Sequence, residues 1–101
     1  MWMIVLFDLP VVTKPERRAA TNFRNLLLDE GFHMSQYSVY YRLLSGKEAL
    51  EGYVNKIRKS LPEKGKVDII SITDKQYENI HSFSGNELRT KRKTQQQFLL
   101  F

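Results

Sequence analysis

Asp8 is the residue best placed for chemistry in this chain of 101 amino acids, because it ends a continuous apolar run. The run begins at Trp2, is rich in β-branched and aromatic residues, and is followed by Leu9 and Pro10. Such a short run is typical of a strand buried on both faces, and Pro10 can continue neither a strand nor a helix. We therefore expect Asp8 at the carboxyl end of a central strand, where α/β sheets expose side chains to ligands.

The chemistry open to such a carboxylate is the binding of a hard divalent cation. Mg²⁺ commonly takes one or two protein carboxylates together with waters and substrate phosphates, so Asp8 in a single chain is not sufficient. Two chains meeting across a two-fold axis would supply a pair, and a metal shared by them would activate water for attack on a phosphodiester. The alternative is that Asp8 only forms the turn that leads to Pro10.

Other familiar catalytic patterns are missing from the sequence. It contains no cysteine, no glycine-rich phosphate loop, no Gly-x-Ser-x-Gly segment and no His-Glu-x-x-His helix. His33 and His81 have no spacing that pairs them with each other or with a lysine, and we interpret both as structural. A basic, glycine-rich strand motif with stacked aromatics, typical of RNA-recognition modules, is also absent.

Length and composition predict one small cytoplasmic domain. A chain of this size can form one core and would gain from association. The lack of cysteine fits a reducing cytosol. The first apolar run is too short to span a bilayer and ends in an acid, so we expect neither a signal peptide nor a membrane helix. The 16 Lys/Arg against 11 Asp/Glu give a net charge of +5, which favours a polyanionic partner where the cations cluster.

The segment after Pro10 is predicted to form an amphipathic helix that ends at Gly31. Thr13 and Glu16 have the spacing of a capping box, and Pro15 falls in the first turn. The face turned to the sheet is formed by Ala19, Ala20, Phe23, Leu26 and Leu27. The opposite face is either merely solvated or a surface for phosphate, and it carries Lys14, Arg17, Arg18 and Arg24.

The rest of the chain predicts further strands, a second helix and a C-terminal arm. Residues 32–44 form either one bent strand or two strands that meet tightly near residues 36–38. Capping-box spacing from Ser45 to Glu48 is expected to start a helix that ends at Pro62 and buries Leu50, Tyr53, Val54, Ile57 and Leu61. Residues 66–73 predict a strand and residues 74–78 a polar turn. An arm from about residue 82 closes with an apolar segment expected to pair, as a terminal strand, with a sheet edge of this chain or of a partner subunit: Phe98, Leu99, Leu100 and Phe101.

This order of elements predicts the α+β class and a ferredoxin-like β-α-β-β-α-β fold. Its antiparallel sheet would carry two helices on one face and an extra C-terminal strand. We expect residues 1–101 to form one such domain together with its arm. Because the fold hosts many functions, function has to be argued from the site.

Three segments together resemble the small CRISPR-associated adaptation proteins, the Cas-two family. They are the strand that ends at Asp8, the stretch Thr13-Lys14-Pro15-Glu16-Arg17-Arg18, and Gly31-Phe32 followed by Gln36-Tyr37-Ser38-Val39-Tyr40. The resemblance runs from Met1 to about Thr73, and the last three residues are similar to the family's terminal strand. The length and the Leu-Pro after Asp8 look most like versions found beside an RNA-guided effector nuclease.

The resemblance implies a homodimer whose last strand crosses to the other subunit. It implies a central place in spacer acquisition, bridging two dimers of the partner integrase along duplex DNA. It also implies a metal-dependent endonuclease activity on RNA or DNA, with Mg²⁺ or another divalent ion held by Asp8 as the catalytic and metal-binding residue. Many relatives have tyrosine where this chain has Phe7, so a hydroxyl that could assist catalysis is absent and the nuclease prediction is weakened.

Two functions from different classes remain open at this point. In the first, the protein is a non-catalytic dimeric scaffold that binds duplex DNA through the basic face of its first helix and binds the integrase through its C-terminal arm. In the second, it is a Mg²⁺-dependent phosphodiesterase that uses the paired Asp8 residues, either within adaptation or as a stand-alone ferredoxin-like ribonuclease. The two are compatible, and the scaffold is favoured as the biological role.

Overall fold

Four strands and two long helices make up the main body of the chain. The computed structural model describes residues 1–85 and 87–88. The elements are β1 (Trp2–Asp8), α1 (Lys14–Asp29), β2 (His33–Gln36), β3 (Val39–Leu43), α2 (Lys47–Lys59) and β4 (Lys66–Ile72). A short helix α3 (Asp74–Glu78) and a hairpin of two-residue strands, β5 (Phe83–Ser84) and β6 (Glu87–Leu88), follow.

The sheet is antiparallel throughout and has the strand order β2-β3-β1-β4. The predicted α+β, ferredoxin-like arrangement is therefore confirmed, with β1 in the centre of the sheet. The terminal strand predicted at residues 98–101 lies outside the described residues. Within the described part of the chain, no helix is long and apolar enough to cross a membrane.

One face of the sheet packs on the helices and forms the main core. Central strand β1 contributes Met3, Val5 and Phe7, which pack with Phe23 and Leu27 of α1. The helix begins with the predicted capping box, because Glu16 N donates to Thr13 Oγ1 at 3.2 Å and Thr13 N donates to Glu16 Oε1 at 2.9 Å. The hydrogen bond from the Thr13 backbone lowers the pKa of the Glu16 carboxyl.

Residues 32–44 form two strands, the second of the two alternatives. Strands β2 and β3 pair with each other and are joined by Tyr37 and Ser38, with an irregularity in register between Met34 and Gln36. A two-residue connection is sufficient here because neighbouring antiparallel strands need only a tight turn. The turn therefore falls where the polar residues interrupt the apolar pattern.

The predicted start and end of α2 are wrong. The helix begins after Gly46, with no capping hydrogen bond from a side chain, so Ser45 and Glu48 do not form a capping box. It ends at Lys59, which leaves Leu61 beyond the helix and 48% exposed rather than in the buried stripe. The sequence spacing alone could not show which of the residues before the apolar stripe is the N-cap.

Residues 74–78, predicted as a short polar turn, form the short helix α3. Thr73 is its N-cap, and a second capping box joins Thr73 to Gln76. This short helix places Tyr77 over the sheet face opposite α1 and α2, where its ring stacks on Trp2 with centroids 4.0 Å apart. The capping pattern was readable in the sequence, but five helical residues give too short a periodicity to recognise.

Among residues 1–85, the face opposite the long helices is covered at the end where β1 begins. Trp2, Tyr41 and Tyr77 form a buried cluster at the end where β1 begins. Toward the other end Leu6 and Val39, which are opposite each other on β1 and β3, are half-buried, and Ile70 of β4 is 46% exposed. The described residues therefore leave an apolar surface on this half of the sheet, defined by Leu6, Val39 and Ile70 and called the open face below.

Candidate metal and nucleic-acid site at the end of β1

Asp8 is the exposed last residue of central strand β1, as the sequence predicts. It pairs in register with Lys66 of β4, and Leu6 pairs with Asp68. Side chains alternate between the two faces along paired strands. The side chains of Leu6, Asp8, Lys66 and Asp68 therefore belong to the face of the sheet opposite α1 and α2, which includes the open face. Asp8 therefore lies at the rim of the open face, with a second carboxylate on the adjacent strand.

Asp68 is a feature that the sequence analysis missed, because only the register between β1 and β4 brings it near Asp8. Its carboxylate lies 3.8 Å from Lys66 Nζ, and both side chains are exposed. Among the described residues there is no cluster of three or more His, Cys, Asp or Glu that could hold a metal ion. A single copy of this part of the chain thus offers carboxylate ligands at the rim but not an enclosed metal site.

The backbone of Asp8 is held closely by the turn before β4. Gly65 has φ +98°, and a Cβ placed on it would lie 2.7 Å from the carbonyl oxygen of Asp8 and 2.8 Å from Cδ2 of Leu9. Both the backbone conformation and the lack of space require glycine at this position. The close packing of Gly65 thus fixes the position of the Asp8 backbone, which carries the carboxylate at the rim.

Phe7 lies on the other side of the sheet from Asp8. Its ring packs in the main core, 5.1 Å from the Phe23 ring and 5.6 Å from the Tyr40 ring. A hydroxyl added to this ring would remain on the side of the helices. The presence of phenylalanine rather than tyrosine therefore removes no group from the face that carries Asp8.

The four cations predicted on α1 do not all share one surface. Lys14, Arg17 and Arg18 are exposed near the start of the helix, whereas Arg24 is half-buried. Nη1 of Arg17 donates to the carbonyl oxygens of Val12 at 2.7 Å and Val11 at 3.3 Å, so this side chain also supports the loop between Asp8 and the helix.

Arg24 is held by aromatic rings. Its Cζ lies 4.1 Å from the ring centroid of Tyr37 and 5.7 Å from that of Phe7. Tyr37 belongs to the turn between β2 and β3, beside the end of β1, where Phe7 N donates to Ser38 O. In the sequence Tyr37 is only one residue of the Gln36–Tyr40 motif, and no local pattern gives it a role.

Lysines from the turn before β4 join the cations of α1 around the Asp8 end of the sheet. Lys64 Nζ lies 4.0 Å from Glu16 Oε2, and Lys66 is the register partner of Asp8. Cations at this end of the sheet include Lys14, Arg17, Arg18, Arg24, Lys64 and Lys66. Exposed cations suit contact with a phosphate backbone, and the exposed carboxylate of Asp8 suits a divalent metal ion.

Residues 1–80 match the family model described as "CRISPR associated protein Cas2". The chain belongs to the Cas2 family. It is similar to the "CRISPR-associated endoribonuclease Cas2" of Paracidovorax avenae, with 50% identity over an alignment that covers 100% of this chain and 94% of that protein. The similarly described Cas2 of Flavobacterium psychrophilum is 44% identical, with 100% and 88% coverage.

The fold agrees with that of a solved Cas2. The crystal structure of Streptococcus pyogenes Cas2 at pH 6.5 superposes with a TM-score of 0.66, covering 83% of this chain and 100% of that chain. The identity is 13%, so this likeness concerns the fold alone. The resemblance to the Cas-two family inferred from the sequence motifs is confirmed as membership by the family model and the two relatives.

Proposed function

We propose that this Cas2 chain acts in CRISPR spacer acquisition as a cytoplasmic homodimer that bridges integrase dimers and binds duplex DNA. We also propose that it has a Mg²⁺-dependent endonuclease activity, hydrolysing phosphodiesters of RNA or DNA. The observation that carries this proposal is the exposed carboxylate of Asp8 at the rim of the open face. The two relatives are named endoribonucleases, which supports RNA as one substrate.

A second copy of the chain is the proposed occupant of the open face. Leu6, Val39 and Ile70 present apolar area that contact with an equal surface would remove from water. An isologous contact repeats every feature of the surface across its two-fold axis. With Asp8 at the rim of that surface, a two-fold axis directed along β1 would bring the two carboxylates to the same end of the dimer.

Asp8 and its surroundings are chemically suited to Mg²⁺. Among the residues that the structure describes, Asp8 forms no ion pair, so its oxygens are free to accept a cation. When bound, Mg²⁺ would lower the pKa of a coordinated water and neutralise charge on a phosphate. The chain itself would hold the ion with Asp8 and the nucleic-acid backbone with cations such as Lys66.

The second candidate is a scaffold without catalysis. It is favoured by the absence of a cluster of three metal-ligating side chains within residues 1–85. Binding of duplex DNA would then depend on the cations around the end of β1 and would not need a metal. The proposed C-terminal arm would dock the integrase.

A titration of Mg²⁺ with labelled RNA and duplex DNA distinguishes the two candidates. We expect cleavage that rises with Mg²⁺ and is lost in the presence of chelator, whereas the affinity for duplex DNA changes little. Binding without any cleavage would support the scaffold alone. Neither binding nor cleavage, together with failure to co-elute with the neighbouring integrase, would contradict the proposed function.

Replacing both Arg17 and Arg18 with alanine should weaken duplex binding for every DNA sequence. Each contact to phosphate releases counterions, so the slope of log affinity against log salt should become flatter by about one unit per lost contact. The measurement is a binding isotherm at several salt concentrations. Since Arg17 also supports the loop before α1, Arg18→Ala alone measures the effect of charge without loss of that support.

The matched control removes two cations from the opposite end of the sheet. Lys47 begins α2 and Lys75 lies in α3, both at the end where β1 begins, and both are exposed. Lys47→Ala combined with Lys75→Ala changes the net charge equally but should leave the salt slope nearly unchanged. Equal slopes for the two double variants would mean that the cations of α1 are only a solvated face.

Deleting residues 98–101 should weaken either the dimer or its assembly with the integrase. This apolar segment is proposed to add a strand to a sheet edge, and its loss would remove ladder hydrogen bonds and buried side chains together. Sedimentation and co-elution with the integrase are the measurements. Serine at residues 95–97 is the control, because it changes the same region but keeps the apolar end. A truncated chain that remains dimeric and assembles normally would contradict this role.

A further inference from the structure

Tyr37 is an exposed aromatic side chain at the end of the sheet where Asp8 lies. It stands in the two-residue turn between β2 and β3 and is 69% exposed. The hydrogen bond from Phe7 N to Ser38 O fixes this turn beside the last residues of β1. Tyr37, in the turn before β3, and Asp8, at the end of β1, are therefore at the same end of the sheet.

The Tyr37 ring is supported from one side by Arg24. The guanidinium carbon lies 4.1 Å from the Tyr37 centroid and 5.7 Å from the Phe7 centroid, so it bridges a core ring and a surface ring. An arginine over an aromatic face is attracted by the ring quadrupole, and this contact orders a side chain that would otherwise rotate freely. The exposed fraction of Tyr37 leaves the rest of its ring surface to solvent.

Arg24 is not neutralised by an acid. Within the described part of the chain it forms no ion pair, and its buried Nε has no hydrogen-bond partner. The cation withdraws electron density from the ring that it contacts, which makes the free face of Tyr37 better suited to stack on another electron-rich ring. The same positive charge favours a ligand that carries phosphate.

We propose that Tyr37, backed by Arg24, is a stacking site for an unpaired nucleobase of a single-stranded nucleic acid. An exposed ring, a guanidinium and nearby lysines are the combination that single-strand binding surfaces use, since every base has a π-face and every nucleotide has a phosphate. The inference rests on the proposed nucleic-acid function and assigns a binding residue to it. The Tyr37 ring lies on the side of α1, whereas Asp8 lies on the other face of the sheet, so a strand that reaches both would pass around this end of the sheet.

The test is the binding of an RNA strand of about eight nucleotides that carries one 2-aminopurine, a length within the usual range of single-strand sites. Chelator is present, so that binding is measured without cleavage. We expect the native chain and Tyr37→Phe to bind the strand and quench the 2-aminopurine fluorescence by stacking. Tyr37→Leu should lower the affinity by roughly 5- to 150-fold, the range that one stacked base supplies, and abolish the quenching.

Three controls keep the outcome specific. Met34→Ala removes another exposed apolar side chain from the same hairpin and should have no effect. An abasic strand of equal length should bind the native chain and Tyr37→Leu equally weakly. Tyr37→Thr, whose β-branched side chain suits a strand end, repeats the test should Tyr37→Leu melt early.

Unchanged affinity and quenching in Tyr37→Leu would overturn this inference, and so would an abasic strand that binds the native chain as tightly as the normal strand. A change in sedimentation without a change in RNA binding would also overturn it, because Tyr37 would then contact a second copy of the chain. If the native chain still binds duplex DNA and shows Mg²⁺-dependent cleavage, only the proposal of a stacking site is contradicted. A native chain that binds neither single strands nor duplex would contradict the proposed function as well.

Discussion

Asp8→Asn is expected to abolish Mg²⁺-dependent cleavage, lowering its rate by at least about a hundredfold. Asparagine keeps the shape of the side chain but lacks the negative charge that a hard cation requires. Loss of a metal removes several kcal/mol of charge stabilisation in a transition state, and each 1.36 kcal/mol corresponds to tenfold in rate. The measurement is the initial rate of cleavage of labelled RNA and duplex DNA at saturating Mg²⁺.

The same variant should leave the fold, the dimer and DNA binding nearly intact. Asp8 is exposed at a strand end. Without metal, two such carboxylates near a dimer axis would repel each other. The melting temperature of Asp8→Asn in the presence of chelator should therefore be equal to or slightly above that of the native chain. Asp29→Asn is the matched control, because it removes an exposed acid at the far end of α1. Full activity in Asp8→Asn would refute the catalytic role, and lost dimerisation would mean that Asp8 is a structural residue.

Local patterns were sufficient to predict the elements that position Asp8. The apolar run up to Asp8, the stop at Pro10 and the capping box from Thr13 to Glu16 all concern residues close in sequence, and each is present in the structure. The order of elements then allowed few topologies, since sequential strands and short connections restrict the choices. This is why the ferredoxin-like fold and the position of Asp8 at the end of β1 could be predicted together.

The surroundings of Asp8 depend on contacts that no local pattern records. Asp68 is brought near Asp8 only by the register of β1 with β4. Space for a side chain is lacking at Gly65 because Asp8 and Leu9 lie against it in the fold. Arg24 has the spacing of a polar-face residue, yet tertiary packing places it between two rings. Long amphipathic side chains bury their stems and stack where aromatic rings are available, which periodicity does not reveal.

Gly65→Ala is expected to destabilise the fold by about 2–4 kcal/mol. One contribution is the positive φ of +98°, which costs a residue with a Cβ roughly 1–3 kcal/mol. The other is the overlap of that Cβ with the Asp8 carbonyl and the Leu9 side chain, which requires the backbone to shift. A loss of this size should lower the melting temperature by roughly 10–30 °C for a domain of about this length.

Gly52→Ala provides the matched control, since the same methyl group is added where it meets no atom within 4 Å. Gly52 is exposed in the interior of α2, where alanine should stabilise the helix by roughly 0.5–1 kcal/mol. Because the overlap at Gly65 falls on the Asp8 carbonyl, we expect the shift that relieves it to displace the Asp8 backbone and with it the carboxylate. We therefore expect Gly65→Ala to reduce Mg²⁺-dependent cleavage even at temperatures where it is fully folded, whereas Gly52→Ala retains it. Equal melting temperatures for Gly65→Ala and the native chain would mean that the turn before β4 does not fix Asp8.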